Sequence, residues 1–285
     1  MTDIFPPDGS CDCHVHVIGP RARFPLAATR SYTPPDAPTA ALRAMLDGLG
    51  VSRVVIVQPS IYGTDNGCLL AALTELGDRA RGVAVLAPDT PAPTLDALHA
   101  QGVRGLRVNV ASGHATSPDE IARRFRTAAR LCERHGWHVQ SFLPAAMLAE
   151  LPDLGDLPVP LVLDHFGLIT RADGPEAADL MARLDGGRVW VKLSAPYRIS
   201  DRPADPRVGR LARMLARNPE RVLWGSDWPH TPPHTGSGAA SDEETPYRDL
   251  CTRDLLGETK AWFPEAAMQR RLLVDNPAAL YGWPA

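Results

Sequence analysis

Several histidine and aspartate residues lie within short β-branched runs or directly after them. Side chains of these types can transfer protons or bind a metal ion when they meet in the folded protein. The stretch CDCHVHV (11–17) carries His14 and His16 on either side of one valine. Two later runs lead to His165, in LDHFG, and to Asp227, in WGSDWPH. Three imidazoles and one carboxylate could transfer a proton, stabilise an oxyanion or bind one divalent metal ion. The sequence therefore indicates a candidate catalytic centre, although an HxH pair alone is unspecific.

Strand alternation predicts which of these side chains face each other. Successive residues of a β-strand point to opposite faces, so Asp12, His14 and His16 would share one face. Cys11 and Cys13 would share the other. We expect the histidines to point into the interior of the fold and the cysteines to pack against helices as small buried hydrophobes.

Arginines form a second group of candidates. The run VRGLRVN (103–109) places Arg107 on the same face as Gly105 and Asn109. A cation facing a protein interior needs a partner, and a guanidinium suits a carboxylate bidentately. Arg107 is therefore predicted to bind an anionic substrate, with an ion pair inside the protein as the alternative. Arg198, beyond the run VKLS, is either a second substrate contact or a solvated loop residue.

The elements that must position these groups alternate along the chain. Eight β-branched runs are each followed by a loop and, for the most part, an Ala/Leu/Arg-rich segment with helical spacing, such as residues 41–50, 119–136 and 206–219. The predicted strands are residues 12–17, 53–57, 82–86, 103–109, 138–142, 159–164, 189–194 and 222–226. This pattern predicts a single-domain (β/α)₈ TIM barrel over residues 1–285. An open doubly wound sheet is the alternative, but it usually carries a glycine-rich fingerprint, and the sequence has neither GxGxxG nor a Walker motif.

Composition limits the class of partner. The 285 residues carry a net charge of −3 and a pI near 6.3, so nothing favours binding to nucleic acid or to an anionic membrane surface. The sequence shows no signal peptide and no apolar run of transmembrane length, and its five cysteines form no framework. We expect a cytoplasmic protein, with a homo-oligomer left open. Residues 231–246, after the eighth predicted strand, are interpreted as a mobile flap over the site or a variable surface loop.

Several short blocks together carry a family resemblance. The ordered blocks are CDCHVHV, SYTPPDA, VQPSIYGTDN, GVRGLRVN, LDHFG, KLSAPYRIS, WGSDWPH and LLVDNPAALYGW. This series resembles the amidohydrolase superfamily (amidohydrolase family 2), in particular the branch that contains 2-pyrone-4,6-dicarboxylate lactonase. The resemblance spans almost the whole chain. It implies a distorted (β/α)₈ barrel that hydrolyses a small carboxylated lactone, in the breakdown of aromatic compounds.

The resemblance also implies roles for residues of this chain. Asp227 would act as the general base that activates water, while His14, His16 and His165 would polarise the lactone carbonyl and stabilise the oxyanion. Arg107 and Arg198 would hold substrate carboxylates. The remaining positions of the substrate pocket would be Tyr32, Gln58, Ser60 and His230.

A metal ion is the main mechanistic alternative. The resemblance implies catalysis without a metal, yet His14, His16, His165 and Asp227 could hold a single zinc or manganese ion in a metal-dependent amidohydrolase or decarboxylase. The fifth predicted strand offers no histidine at its C-terminal end, which argues against two ions. A barrel that binds a small acid without turnover is a third interpretation.

Two departures from the family pattern affect the substrate. Gly113 stands near a position where the family enzyme carries an additional arginine, and Phe142 stands in place of a tyrosine. Both changes remove polar contacts to a dicarboxylate. Because a site that has lost a charge partner discriminates against the old substrate, we expect the same chemistry on a different lactone, such as one with a single carboxylate.

Overall fold

Eight parallel strands form one sheet in the order in which they occur along the chain, as the prediction of a (β/α)₈ barrel requires. The structure is a computed structural model that describes residues 5–110, 117–151, 154, 157–232 and 243–284. The strands are β1 (Cys11–Val15), β2 (Arg53–Val57), β3 (Ala80–Ala84), β4 (Val103–Asn109), β5 (His138–Phe142), β6 (Leu161–Leu163), β7 (Val189–Ser194) and β8 (Val222–Gly225). All eight predicted strands are present. The third begins two residues before its predicted start, because Ala80 already pairs with Val54 of β2.

Helices connect most of the strands on the outside of the sheet. They are α1 (Thr39–Leu49), α2 (Gly67–Leu76), α3 (Ala92–Ala100), α4 (Pro118–Glu133), α5 (Pro175–Asp185), α6 (Pro206–Leu215), α7 (Thr252–Trp262), α8 (Ala266–Arg270) and α9 (Asn276–Tyr281). Between β5 and β6 the described residues contain a 3₁₀ segment, Ala145–Glu150, where a regular barrel would have an α-helix. None of the described helices is both long and apolar enough to cross a lipid bilayer.

The barrel closes where β8 meets β1. Backbone bonds join His16 N to Trp228 O (2.8 Å) and Asp227 N to His14 O (2.8 Å). Gly225 lies at this seam, and a Cβ on it would come within 2.6 Å of the His14 Cβ atom. Real Cβ contacts are essentially never that short, so the seam requires glycine at this position.

An extra residue in β1 changes the predicted alternation of side chains. Asp12 pairs with Val54 and Val15 with Ile56, so three steps along β1 match two steps along β2. Such a bulge reverses the facing of the residues on one side of it. His14 still points inward, but Asp12 does not share its face.

The prediction that the cysteines pack against the helices was therefore wrong. Cys11 and Cys13 belong to an apolar cluster built from side chains of six different strands, which places them in the barrel interior. Tyr281 and Trp283, from the C-terminal end of the chain, complete this cluster and fill the floor of the barrel. Val15 instead joins the outer core together with Leu42 of α1. Most of residues 231–246, the predicted flap, and Gly113 lie outside the described residues.

Candidate active site

Asp227 lies directly after β8, at the C-terminal end of the barrel, and its side chain is fully buried. Its backbone is in the left-handed region, with φ +62°; such conformations persist where the surroundings fix them, often at functional sites. One carboxylate oxygen, Oδ2, accepts hydrogen bonds from Tyr197 Oη (2.8 Å) and from Arg198 Nε (3.0 Å) and Nη2 (2.7 Å). Burial opposes ionisation, but the Arg198 guanidinium outweighs it and holds the pKa of Asp227 well below its usual range.

The other carboxylate oxygen faces the three predicted imidazoles. Asp227 Oδ1 lies 3.4 Å from His16 Nε2, 3.6 Å from His14 Nε2 and 3.9 Å from His165 Nε2. This oxygen has no hydrogen-bond partner among the described residues. The structure thus brings together, around one atom, all four residues that the sequence predicted as catalytic.

Partners of the opposite ring nitrogens determine how each imidazole faces the centre. His16 Nδ1 lies 2.7 Å from the carbonyl oxygen of Val57, which can only accept, so the proton of neutral His16 is on Nδ1. Its Nε2 then presents a lone pair to the site. His165 Nδ1 pairs with Ser194 Oγ at 2.9 Å; if that hydroxyl donates, His165 carries its proton on Nε2 and can donate into the site.

Burial keeps two of the imidazoles neutral. It lowers the pKa of His14 to about 4 and lowers the pKa of His165 well below its usual value. Both rings are therefore uncharged at neutral pH. A neutral imidazole can accept a proton or donate a hydrogen bond at Nε2, depending on which ring nitrogen carries its proton.

Two further charged residues lie beneath the centre, and the sequence analysis gave neither a role. Asp164 Oδ1 is 3.2 Å from His14 Nδ1, and Lys192 Nζ is 3.5 Å from the same nitrogen. Both side chains are fully buried. Asp164 precedes His165 directly and Lys192 shares the inward face of Ser194, so the strand pattern did contain a signal for both.

Above the carboxylate a small, narrow pocket opens at the barrel mouth. Its walls include His16, His165 and Asp227 together with four of the six predicted substrate contacts, Tyr32, Ser60, Arg107 and Arg198; Pro59, Phe142 and Thr231 complete them. The site therefore offers a compact, mostly polar space directly over the candidate catalytic oxygen.

The two remaining predicted contacts lie away from this wall. The side chain of Gln58 donates to the carbonyl oxygen of Asp65 (2.7 Å) and so supports the loop after β2. His230 Nε2 pairs with Thr252 Oγ1 at 3.0 Å. Both side chains support the site from outside the cavity.

The two candidate arginines differ in how they are held. Arg107 donates to the Gln58 carbonyl oxygen (3.0 Å), and its Nη2 lies 3.9 Å from Asp164 Oδ2, the internal ion pair that the sequence analysis gave as the alternative. Its buried Nε has no hydrogen-bond partner among the described residues. Arg198 is bound to Asp227 and also donates to Thr231 Oγ1 (2.8 Å). Arg107 is thus the better placed of the two to take a substrate anion.

The donor atoms at the centre also fit a single divalent metal ion. Ligands of a tetrahedral site at about 2.0–2.1 Å from the metal lie roughly 3.3–3.5 Å apart. The separation of Asp227 Oδ1 from His16 Nε2 (3.4 Å) falls in this range and that from His14 Nε2 (3.6 Å) lies just beyond it. These three residues form one compact donor group. Arg198 argues against a metal ion at this place. Its guanidinium already neutralises the Asp227 carboxylate, and this fixed positive charge disfavours a metal cation beside it.

Comparison with known proteins adds the family. A protein-family model described as amidohydrolase matches residues 11–283. The 2-pyrone-4,6-dicarboxylate hydrolase of Comamonas testosteroni is 36% identical, over 98% of this chain and 91% of that protein. The 4-sulfomuconolactone hydrolase of Hydrogenophaga intermedia is 34% identical, over 97% of this chain and 89% of that protein.

A solved structure agrees with the sequence comparison. The ligand-free crystal structure of an Agrobacterium tumefaciens protein superposes with a TM-score of 0.81 at 29% identity, covering 96% of each chain. With its family match spanning nearly every residue, this chain belongs to the amidohydrolase family.

Proposed function

We propose that this protein opens a small carboxylated lactone by hydrolysis, with Asp227 activating the attacking water. The observation that carries the proposal is the single uncommitted oxygen of Asp227, which faces three imidazoles below a small cavity that Arg107 lines. Relatives at 34% and 36% identity are named as hydrolases of sulfomuconolactone and pyrone dicarboxylate. Both are small anionic lactones, which supports the substrate class.

Water is activated between Asp227 and His16. Asp227 Oδ1 takes a proton as the water oxygen forms a bond to the lactone carbonyl carbon. The acceptor Nε2 of His16 orients the second hydrogen of the same water, since its Val57 partner leaves that nitrogen a lone pair. Donation by His165 Nε2 stabilises the oxyanion. When the intermediate collapses, the ring C–O bond breaks and protonated Asp227 returns its proton to the leaving oxygen.

The substrate carboxylate binds Arg107. The guanidinium is about nine-tenths buried, and its Nε group lacks a partner among the described residues. A buried donor without an acceptor favours an incoming anion. The Phe142 ring lines the apolar part of the wall and packs edge-on against His165, with ring centroids 5.2 Å apart. Phenylalanine has no hydroxyl that could bind a second carboxylate. A monocarboxylated lactone therefore suits the cavity better than a dicarboxylate.

We further propose that turnover needs no metal ion. Support comes from Arg198, whose two hydrogen bonds to Asp227 Oδ2 place a positive charge of the protein beside this carboxylate, while the Tyr197 hydroxyl donates a third bond to the same oxygen. A zinc or manganese ion held by His14, His16, His165 and Asp227 would supply Lewis acidity and a more acidic bound water.

Hydrolysis of a lactone panel tests both parts of this proposal. Chelator-treated protein is assayed by ultraviolet absorbance with 2-pyrone-4,6-dicarboxylate, with monocarboxylated analogues and with uncharged lactones. We expect turnover that survives chelation, is highest for a monocarboxylate and is lowest for the uncharged compounds. Activity that disappears with the chelator and returns with zinc or manganese would refute the metal-free mechanism but leave the lactonase assignment in place.

Two variants test the residue assignments. Asp227→Asn should lower kcat by at least about 10³-fold with an unchanged melting temperature, because it removes the base and keeps the shape. Arg107→Met should mainly raise KM for carboxylated substrates and have little effect on uncharged ones. Near-normal turnover by Asp227→Asn would refute the assignment of the base.

A further inference from the structure

A buried lysine lies in the interior of the barrel, directly under the candidate active site, and the proposed reaction does not use it. The side chain of Lys192, from β7, is fully buried. The chain has only one other lysine, Lys260, among its 30 basic residues. A charged group is almost never fully buried unless it is paired, so this ammonium must interact with specific partners.

Those partners are well defined. Lys192 Nζ donates to the carbonyl oxygen of Cys13 (2.7 Å) and to Gln140 Oε1 (2.6 Å). An ammonium has three protons, and these two bonds use two of them. The third faces His14 Nδ1 at 3.5 Å and Asp164 Oδ1 at 3.8 Å.

The two residues that this third proton faces, His14 and Asp164, belong to a second group of potential metal ligands. His14, Asp164 and His165 each offer one donor atom, and these atoms lie within 4.8 Å of one another. Neither oxygen of Asp164 forms a well-aligned hydrogen bond to any described residue. The nearest cations to this carboxylate are Lys192 and, at 3.9 Å, Arg107. A buried carboxylate with such neighbours depends on them for its charge balance.

We propose that the ammonium of Lys192 is a built-in cation that occupies the place of a metal ion beside His14, Asp164 and His165. In this position it balances the charge of Asp164 and fixes the His14 imidazole next to Asp227. Lys192 is therefore a positioning residue that acts through Asp164 and His14. The proposal concerns the protein alone and does not depend on which lactone is the substrate.

The size of the group supports this role. An ammonium is a compact point charge, whereas a guanidinium is a broad planar fork. The space for Nζ is bounded by the backbone of β1 and the Gln140 side chain of β5 at distances of 2.6–2.7 Å. These short distances suit a compact ammonium, in a chain that otherwise uses arginine for nearly all its positive charges.

Metal content provides the first test. Lys192→Gln removes the charge and keeps an amide that can donate to the Cys13 carbonyl, and Lys260→Gln is the exposed control. Each protein is stripped with chelator, dialysed against Co²⁺ and passed through a desalting column. Bound cobalt is then measured by elemental analysis and by its visible absorption.

We expect Lys192→Gln to retain about one equivalent of cobalt more than the wild type and Lys260→Gln. The further change Asp164→Asn in the Lys192→Gln background should remove that additional equivalent. Equal cobalt content in all four proteins would overturn the proposal. Because only the difference between variants counts, the result does not depend on whether the wild-type centre binds a metal or turns over a lactone.

Thermal unfolding provides a second test that does not require the single variant to be fully stable. If Lys192 balances Asp164, the double change Lys192→Gln/Asp164→Asn should recover part of the melting temperature lost in Lys192→Gln. The wild type, both single variants and the double variant are compared in chelator. Strictly additive shifts would show that the two charges are not coupled and would refute the pairing.

Activity provides a third readout. In chelator, Lys192→Gln should lower kcat at least about 10-fold and leave KM within a factor of about two, because the cavity wall above the imidazoles is unchanged. A loss confined to KM, or an unchanged kcat, would contradict the positioning role.

Discussion

Replacing Gly225 with alanine would test whether the closure of the barrel sets the active-site geometry. This glycine lies at the seam between β8 and β1, behind His14. An added Cβ would be 2.6 Å from the His14 Cβ atom and 2.8 Å from its backbone nitrogen. Carbon atoms in contact prefer about 3.5–4.0 Å, so the two strands would have to separate by roughly 1 Å.

That separation gives the size of the expected effect. Overpacking of this kind costs about 1–3 kcal/mol, which for a domain of this size lowers Tm by roughly 2–10 °C. A misplacement of about 1 Å in a catalytic group can cost on the order of 100-fold in rate. Since His14 Nε2 is 3.6 Å from Asp227 Oδ1, we expect kcat to fall about 100-fold, with a much smaller change in KM.

The assay compares Gly225→Ala with Gly257→Ala, a matched change in α7. A Cβ at Gly257 meets nothing within 4 Å, so alanine there should stabilise the helix by about 0.5–1 kcal/mol without affecting the site. Both variants are measured by thermal unfolding and by steady-state lactone hydrolysis. Wild-type kcat and Tm in Gly225→Ala would refute the inference that the close approach of β8 to β1 fixes the position of His14.

Three further predictions follow from the same structure. Arg198→Met should lower kcat about 10-fold or more, because it removes two hydrogen bonds that orient Asp227; a change confined to KM would instead indicate a substrate contact. A thiol reagent should modify Cys251 rapidly and the other cysteines only after denaturation, since burial shields them and raises the pKa of Cys132; fast labelling of two or more thiols would contradict this. Ser117→Ala should destabilise the protein by about 1 kcal/mol in urea unfolding, since Ser117 Oγ caps α4 by accepting from Glu120 N, whereas Ser117→Asp should be close to neutral.

Local patterns accounted for the architecture. The eight β-branched runs became eight strands in sequence order, because strand formation and parallel pairing depend on runs of apolar residues separated by connections of sufficient length. Strand ends also indicated which polar groups meet, since the C-terminal ends of parallel strands share one face of a barrel. His14, His16, His165 and Asp227 were located in this way.

The tertiary structure was needed to show which side chains face the barrel interior and which of them pair there. Simple alternation gave the wrong face for Cys11 and Cys13, because the register of β1 against β2 includes an extra residue. Arg198 carries the same charge whether it binds a substrate or Asp227, and only the path of the loop after β7 decides between them. Sequence order brings Lys192 near neither Asp164 nor His14, since these residues belong to three separate strand regions.

The amino-acid sequence by itself determined the barrel, its family and the four residues around the candidate catalytic oxygen, because these depend on local pattern and on the direction of parallel strands. The tertiary structure decided which oxygen of Asp227 is uncommitted, which arginine is bound to Asp227 and where a buried ammonium lies. These properties depend on distances of 3–4 Å between residues far apart in the chain. Such distances are set by the closure of the barrel and the register of its strands, which no single segment of the sequence encodes.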